Sequence, residues 1–395
     1  MRVFVVEPDG AGGLLHYAFQ LASGLDECGH QVTLVTGRDY ELAPVPTPFR
    51  VEPRMRLWPV VETGGRLPSP LRKARRAWRG LKYLVAWHRL TRHLLAERPE
   101  LTIFSTVRFP VQSVFLRRLH RAGIRMGQIC HEFEPREARI GWVRRLSRGA
   151  AAAAYRCFEV IFFHGEAHRA RFLELFTTPA DLVIIPHGNE GLLARMADAG
   201  GDRRSHYGLG PDTTVALFFG GLRPSKGLPE LVTAFATVAP EVPGAALIIA
   251  GHPAAGFDPA SLRSLAAQLG VDGSVQIDDR YLDLSEVGPL LRTATVVALP
   301  YRSGTASGVL QAAYAFDRPV VVTDVGSLAE AVEHGITGLV VPPDDPDALA
   351  AALVKMLGQP GEAADMGLAA GRISRERFGW RPIAEAVVAA HGRRR

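Results

Sequence analysis

A short glycine-containing segment in the middle of the chain, residues 220–227, carries two cationic side chains, Arg223 and Lys226. The apolar run at residues 213–219 predicts a buried strand before it, and the apolar spacing at residues 228–235 predicts a helix after it. Backbone N–H groups at a helix start, together with two cations, are groups that bind a phosphate. A glycine-rich turn with two solvated cations fits the same residues, and the Gly-x(4)-Gly-Lys-Ser/Thr spacing of a Walker loop is absent.

A second glycine loop, with Gly12 and Gly13, stands between a predicted strand at residues 2–7 and a predicted helix at residues 14–28. Its glycines do not follow the G-x-G-x-x-G spacing of a dinucleotide-binding loop. Arg38 follows the next strand, where an acidic residue would bind a ribose hydroxyl. The sequence therefore disfavours NAD, although two adjacent glycines still let a ligand approach the backbone closely.

Two polar motifs, His131 and the pair Asp345 and Asp347, are further candidates for chemistry. His131 follows a predicted strand at residues 125–130, where polar residues face the ligand crevice of a parallel sheet. A lone histidine can equally be structural, so both roles remain open for His131. The two aspartates have the D-x-D spacing of a metal site but directly precede a predicted helix. We expect them to cap that helix and expect no metal site.

Strands and helices alternate through both halves of the chain, which predicts an α/β fold with parallel sheets. The length of 395 residues and the apolar content of 47% suit two folded domains. We expect two doubly wound, Rossmann-like domains facing a central cleft. Their predicted bounds are 1–188 for the N-terminal domain, 189–212 for a linker, and 213–375 for the C-terminal domain.

Three further segments carry structural predictions. Residues 41–70 are rich in proline and are predicted to be irregular, whereas residues 328–333 are predicted to be a helix. Residues 376–395 form a predicted tail with a helix at residues 383–391, which we expect to pack back toward the N-terminal domain.

The charge of the chain is unevenly distributed. The net charge is +6. Residues 1–195 contain 29 Lys and Arg against 18 Asp and Glu, a net charge of +11, and residues 196–395 have a net charge of −5. The basic half is expected to meet an anionic membrane surface or an acidic acceptor. No nucleic-acid-binding motif accompanies the charge, so nucleic acid is not the expected partner.

The most basic segment, residues 66–93, has apolar and aromatic residues between its cations, among them Trp78 and Trp87. On a helix this pattern gives a cationic face beside an apolar one, which suits an anionic membrane. An ordinary surface helix packed on its own domain fits the pattern as well.

The sequence predicts a cytoplasmic protein. It has three widely spaced cysteines, it starts with a strand rather than a signal peptide, and it lacks a long apolar run.

Taken together, these motifs resemble the GT-B glycosyltransferases, and among them the retaining glycosyltransferase family 4. The resemblance covers nearly the whole chain and is strongest over residues 213–343. Residues 221–227 resemble the segment in which an Arg and a Lys hold the donor diphosphate, and residues 300–326 resemble the donor-sugar loop with its helix and strand. The resemblance implies donor contacts at Gly12, Gly13, Gly221, Arg223, Lys226, Thr305, Ala306, Ser307, Gly308 and Val309, with His131 beside the transferred sugar.

The chain departs from this family at two positions. The family usually carries two glutamates as E-x(7)-E in the donor-sugar region. Alignment on Gly308 places Thr305 at the first position and Ala313 at the second, and neither accepts hydrogen bonds as a carboxylate does. The second glutamate usually holds the donor ribose, for which Gln311 is a weak substitute.

The resemblance implies a hexosyltransferase that uses a nucleotide-sugar, retains the anomeric configuration and needs neither a metal nor a cofactor. Arg223 and Lys226 would stabilise the charge that collects on the departing diphosphate. The missing glutamates prompt an alternative, a sugar- or nucleotide-binding partner protein that has lost turnover. A phosphorylase-type enzyme with pyridoxal phosphate is a third hypothesis, but the sequence offers no candidate lysine for it.

Overall fold

The computed structural model describes residues 1–57, 69–107, 109–133, 141–197 and 201–392. The chain divides into two compact units, Met1–Gly188 with Trp380–Arg395, and Asn189–Gly379. The C-terminal residues from Trp380 onward thus belong to the first unit. The segment that we expected to be a linker, residues 189–212, belongs to the second unit and contains helix α6 (Gly191–Met196).

The first unit is built on a seven-stranded parallel sheet with the strand order β3-β2-β1-β4-β5-β6-β7. Its strands are β1 (Arg2–Val6), β2 (Gln31–Gly37), β3 (Arg50–Met55), β4 (Leu101–Phe104), β5 (Met126–Ile129), β6 (Val160–Phe163) and β7 (Asp181–Ile184). Its helices, numbered along the chain, are α1 (Gly13–Glu27), α2 (Ser69–Glu97), α3 (Gln112–Arg121), α4 (Gly141–Tyr155), α5 (Glu166–Leu175) and α13 (Trp380–Gly392).

The second unit is built on a six-stranded parallel sheet with the strand order β10-β9-β8-β11-β12-β13. Its strands are β8 (Val215–Phe219), β9 (Ala246–Ala250), β10 (Val275–Asp278), β11 (Val296–Leu299), β12 (Val320–Thr323) and β13 (Gly338–Val341). Besides α6, its helices are α7 (Leu228–Glu241), α8 (Pro259–Gln268), α9 (Leu284–Thr293), α10 (Gly308–Ala315), α11 (Pro346–Gly358) and α12 (Pro360–Arg377).

The central strands of both sheets are buried along most or all of their length. All four residues of β4, of β6 and of β11 are buried, as expected for parallel strands that helices cover on both faces. Such strands appear in the sequence as unbroken apolar runs. The predicted α/β class with two Rossmann-like sheets is therefore confirmed.

Two of the predicted local structures are wrong. The irregular segment 41–70 contains β3, which pairs with β2 at the edge of the first sheet. Its buried residues, Glu52 and Met55, do not alternate with exposed ones. It also contains a proline, which an edge strand tolerates because one side has no partner strand. The helix predicted at residues 328–333 is only a 3₁₀ turn at Ala329–Ala331, since Val332 is already extended. Conversely, α12 went unpredicted because its small residues give little apolar periodicity.

Candidate functional site

The point at which the strand order of the second sheet reverses brings two loops together. Strands β8 and β11 are neighbours, and the strand order runs outward from them on both sides. The carboxyl ends of such a pair bound the crevice in which open α/β sheets bind ligands. Residues 220–227 follow β8 and residues 300–307 follow β11. The two segments that the sequence singled out for donor binding therefore lie at one edge of one sheet.

The first loop is shaped by Gly227. Residues 224–226 form a 3₁₀ turn, and Gly227 at φ 64° turns the chain into α7. A β-carbon at Gly227 would overlap the carbonyl oxygen of Pro300, the first residue of the second loop. The amide of Arg302 also donates to the carbonyl oxygen of Ser225 at 2.9 Å. The two loops thus pack backbone against backbone, and only glycine fits at their contact.

A chain of side-chain contacts also joins the two loops. The Lys226 Nζ lies 3.3 Å from the ring centroid of Tyr301. The Tyr301 hydroxyl is 3.1 Å from the Ser307 Oγ, and the Tyr301 side chain is buried. The aromatic face attracts the ammonium group and fixes its position. Tyr301 is a site residue that sequence reasoning missed, although its place directly after β11 was a signal.

Arg223 lies at the start of the 3₁₀ turn, with its backbone extended. Its side chain folds over Gly221, where an added β-carbon would lie 3.4 Å from the Arg223 Nε. Arg223 and Lys226 are both half-buried. The loop therefore presents two cations at the beginning of α7, where the N–H groups of the helix already favour an anion.

The second loop leads into α10. Ser307 is the N-cap residue, and its Oγ accepts a hydrogen bond from the Leu310 amide at 3.4 Å. The carbonyl oxygen of Thr305 accepts a hydrogen bond from the Ser327 amide at 3.2 Å. Gly326, at φ 54°, packs so tightly on Gly304 that a β-carbon there would overlap its carbonyl oxygen. The backbone from Thr305 to Val309, including Ala306 and Gly308, is thus held from both ends.

The two positions that depart from the family pattern differ in environment. Thr305 is half-buried, whereas Ala313 is fully buried in the core of the second unit. Gln311 is 1% exposed, and its Oε1 has no hydrogen-bond partner within the described residues. Leaving a buried amide oxygen without a hydrogen-bond partner is costly. Gln311, one turn into α10, carries such an unfilled acceptor.

The first unit holds Gly12, Gly13 and His131, the other predicted site residues. Gly12, at φ 86°, precedes α1, and its amide donates to the Glu41 Oε1 at 2.6 Å. The same carboxylate oxygen lies 2.9 Å from the His16 Nε2. The positive end of α1 is therefore already occupied by a carboxylate of the chain. No local sequence pattern predicts this contact, because Glu41 lies beyond β2, far along the chain from Gly12.

His131 belongs to a cluster of three histidines. Strands β5, β6 and β7 are neighbours, and His131, His164 and His187 follow their carboxyl ends. The His164 Nε2 lies 3.2 Å from the His131 Nδ1. Burial lowers the pKa of His187 to about 4 and holds the pKa of His164 well below its usual value, so both imidazoles are neutral at pH 7.

The D-x-D motif forms a helix cap, as the sequence predicted. The Asp345 Oδ1 accepts a hydrogen bond from the Ala348 amide at 2.9 Å, at the start of α11. This contact satisfies one of the free N–H groups of the helix. Asp345 is thereby explained by local structure, and Asp347 lies in the first turn of α11.

Comparison with known proteins identifies the family and the fold that this chain is similar to. Residues 213–359 match the sequence model of "Glycosyl transferases group 1", and residues 12–188 match that of "Glycosyl transferase 4-like domain". Among solved structures, HepE from Anabaena in complex with UDP and glucose has a TM-score of 0.72 at 18% identity, with 99% of each chain covered.

Two curated relatives match part of the chain. The D-inositol 3-phosphate glycosyltransferase of Segniliparus rotundus is 29% identical over 54% of this chain and 47% of its own. The GDP-mannose-dependent alpha-(1-6)-phosphatidylinositol monomannoside mannosyltransferase of Mycolicibacterium smegmatis is 31% identical over 61% of this chain and 64% of its own. The chain spans about half the length of the first curated relatives it matches.

Proposed function

The chain belongs to the glycosyl transferases group 1 family of GT-B glycosyltransferases, and on that premise we propose that it moves a hexose from a nucleotide-sugar to an acceptor hydroxyl with retention of anomeric configuration. The contact chain from Lys226 through Tyr301 to Ser307 carries the proposal, because it joins the loop suited to a diphosphate with the loop suited to a sugar. HepE, of the same fold, holds UDP and glucose.

The proposed chemistry needs no nucleophilic residue. The bond between the sugar C1 and the diphosphate oxygen breaks, and its electron pair stays on the diphosphate. Arg223, Lys226 and the N–H groups at the start of α7 and α10 stabilise that charge. The acceptor oxygen bonds to C1 on the same face, and its proton passes to the departing phosphate. We assign His131 to orienting the transferred sugar.

A thermal-shift panel tests which nucleotide the second unit binds. UDP, GDP, ADP and TDP are added separately, and the unfolding temperature is measured. A ligand at 100 times its Kd stabilises the folded state by about 2.7 kcal/mol. We expect one nucleotide to raise the unfolding temperature of the wild type but not that of Lys226→Ala. No shift with any nucleotide would count against the proposal.

Removal of divalent metal should leave transfer unchanged. Arg223 and Lys226 supply the positive charge at the diphosphate, and the D-x-D motif serves as a helix cap. The rate is measured after exhaustive chelation and again after adding Mg²⁺ or Mn²⁺. Loss of turnover that either ion restores would show that a metal, not these cations, neutralises the leaving group.

The missing glutamates support a second candidate function, a binding partner that retains the fold without turnover. If the chain is an enzyme instead, donor selection rests on shape and on backbone contacts along Thr305 to Val309. Thr305→Val should then lower kcat/KM by tenfold or less, because one neutral hydrogen bond is worth about 1 kcal/mol. Ser303→Ala, in the same loop, is the matched control. A loss of several hundredfold in Thr305→Val would show that the hydroxyl is essential.

We further propose that α2 docks on an anionic membrane surface, where the acceptor would be met on the cytoplasmic side. Leu71, Trp78, Leu81 and Val85 recur at helical spacing, and each is at least 40% exposed. Tyr83, Trp87 and Leu90, on another side of α2, are buried in the first unit. The described side chains of α2 also include Arg76, Lys82, Arg89 and Arg92, all exposed. An outward apolar stripe among cations suits anionic lipid.

Liposome flotation tests this docking. We expect binding to vesicles with anionic lipid that weakens at high salt, because lysine and arginine contribute about 1 kcal/mol each near the surface and salt screens them. Trp78→Ser combined with Leu81→Ser should reduce binding at least tenfold. Leu173→Ser, at 52% exposure on α5, is the matched control. Binding that is absent, or that salt does not affect, would contradict the membrane proposal.

No described helix is long and apolar enough to cross a bilayer.

A further inference from the structure

We propose that His131, His164 and His187 form a binding site for a divalent transition-metal ion of the zinc type. Among the described residues, these three offer ligand nitrogens that all lie within 4.8 Å of one another. All three belong to the first unit. His131 is also the residue assigned to the transferred sugar, so a bound ion and the sugar would compete for this histidine. Metal binding is measured without transfer, so failure of this proposal and failure of the proposed function are distinguishable.

The sheet itself brings the three histidines together. Gly127–Ile129 of β5 pair with Val160–Phe162 of β6, and Val160–Phe163 of β6 pair with Asp181–Ile184 of β7. Continuing the first register places His131 beside His164, and His187 lies three residues past the end of β7. Three adjacent parallel strands therefore each deliver an imidazole to the same edge. β5 and β6, which precede His131 and His164, are buried along their whole length, so two of the three imidazoles follow core strands, and His187 follows the edge strand β7.

The distances suit a metal after small side-chain movements. Zinc–nitrogen bonds of 2.0–2.1 Å in a tetrahedron separate two ligand nitrogens by about 3.3 Å. The His131 Nδ1 and the His164 Nε2 are 3.2 Å apart. The remaining separations are no greater than 4.8 Å, and rotation of the rings would close them. Three imidazoles leave the fourth position open for water or another ligand.

The surroundings orient the rings as in a metal site. The His187 Nδ1 lies 3.0 Å from the carbonyl oxygen of Gly188, and the His164 Nδ1 lies 3.4 Å from that of Ile185. With the Nδ1 proton donated to a carbonyl, each ring presents its Nε2 lone pair as a ligand.

A buried tyrosine lies against all three imidazoles. The ring centroid of Tyr17 is 4.5 Å from that of His131, and 5.2 Å from those of His164 and His187. Tyr17 is 1% exposed, and its hydroxyl has no hydrogen-bond partner within the described part of the chain. A buried hydroxyl without a partner is uncommon and costly.

Direct binding of Co²⁺ and Zn²⁺ to the untagged full chain tests the proposal. Co²⁺ reports its geometry through visible absorption, and calorimetry gives the stoichiometry and the Kd for Zn²⁺. We expect one ion per chain, with the strong visible bands of a four-coordinate Co²⁺ site. His164→Gln and His187→Gln should each weaken binding at least tenfold. His120→Gln, an exposed histidine on α3, is the matched control and should bind as the wild type does.

Three metal-binding results would contradict the proposed histidine site. Absence of binding in the folded wild type would overturn the site. The site would also be overturned if His164→Gln and His187→Gln both bind the ion as the wild type does, or if His120→Gln loses binding to the same extent as they do. Circular dichroism shows whether each variant folds, and if a glutamine variant does not, His187→Asn replaces it. Bound Zn²⁺ should also raise the unfolding temperature of the wild type and leave those of His164→Gln and His187→Gln unchanged.

Discussion

Lys226→Ala and Arg223→Ala should each lower kcat by about 10²- to 10³-fold, because each removes a positive charge that faces the developing charge of the diphosphate. The diphosphate is charged in the bound donor as well, so KM should also rise. The charge on the leaving oxygen appears only as the bond to the sugar breaks, and that part of the loss falls on kcat. The rate is measured with the best donor from the nucleotide panel. Both residues are half-buried at the surface of a loop, and neither belongs to the core.

Two controls separate charge from packing. Lys226→Met keeps most of the side chain beside Tyr301 and removes the ammonium, so it should lose as much activity as Lys226→Ala. Lys355→Ala removes an exposed lysine from α11 in the same unit and should retain full activity. Folded Lys226→Ala or Arg223→Ala protein with kcat within threefold of the wild type would show that these cations do not stabilise the leaving group.

Gly227→Ala should abolish nucleotide binding and destabilise the second unit by about 2 kcal/mol or more. A non-glycine residue at positive φ costs about 1–3 kcal/mol, and Gly227 sits at φ 64°. The added β-carbon would also overlap the carbonyl oxygen of Pro300, so the two loops would have to separate. Denaturant unfolding and the thermal-shift response to nucleotide measure the two effects.

The matched control is Gly358→Ala, in which the new β-carbon would lie 3.8 Å from the Val242 side chain, an ordinary contact. Gly358 ends α11 and is remote in sequence from both loops. It should retain nucleotide binding and change stability little. If Gly227→Ala binds nucleotide with unchanged affinity, the close packing of the two loops is not needed for the site.

The sequence predicts most strands of both sheets but not the contacts between segments that are distant along the chain. Buried strands such as β4 and β6 appear as unbroken apolar runs, and helix starts such as Asp345 carry their own signal. Edge strand β3 has neither feature. Tyr301 and Glu41 act through contacts that the fold creates, with Lys226 and Gly12 respectively. Local patterns cannot show these partners, because they depend on which strands become neighbours.

The histidine cluster shows the same limit in another form. His131 was a candidate because it follows a strand, and His164 and His187 follow strands too. What the sequence could not supply was the strand order that places β5, β6 and β7 side by side. With that order, three separate observations become one site.

Transfer from a panel of nucleotide-sugars, followed by NMR of the anomeric proton of the product, tests the central claim most directly. We predict turnover with one donor class, a product whose anomeric configuration matches that of the donor, and loss of that turnover in Lys226→Ala. A product of inverted configuration would contradict the proposed same-face attack. A wild type that is inert with every donor, and that gains transfer when Thr305→Glu is combined with Ala313→Glu, would show that the chain is a binding protein and not an enzyme.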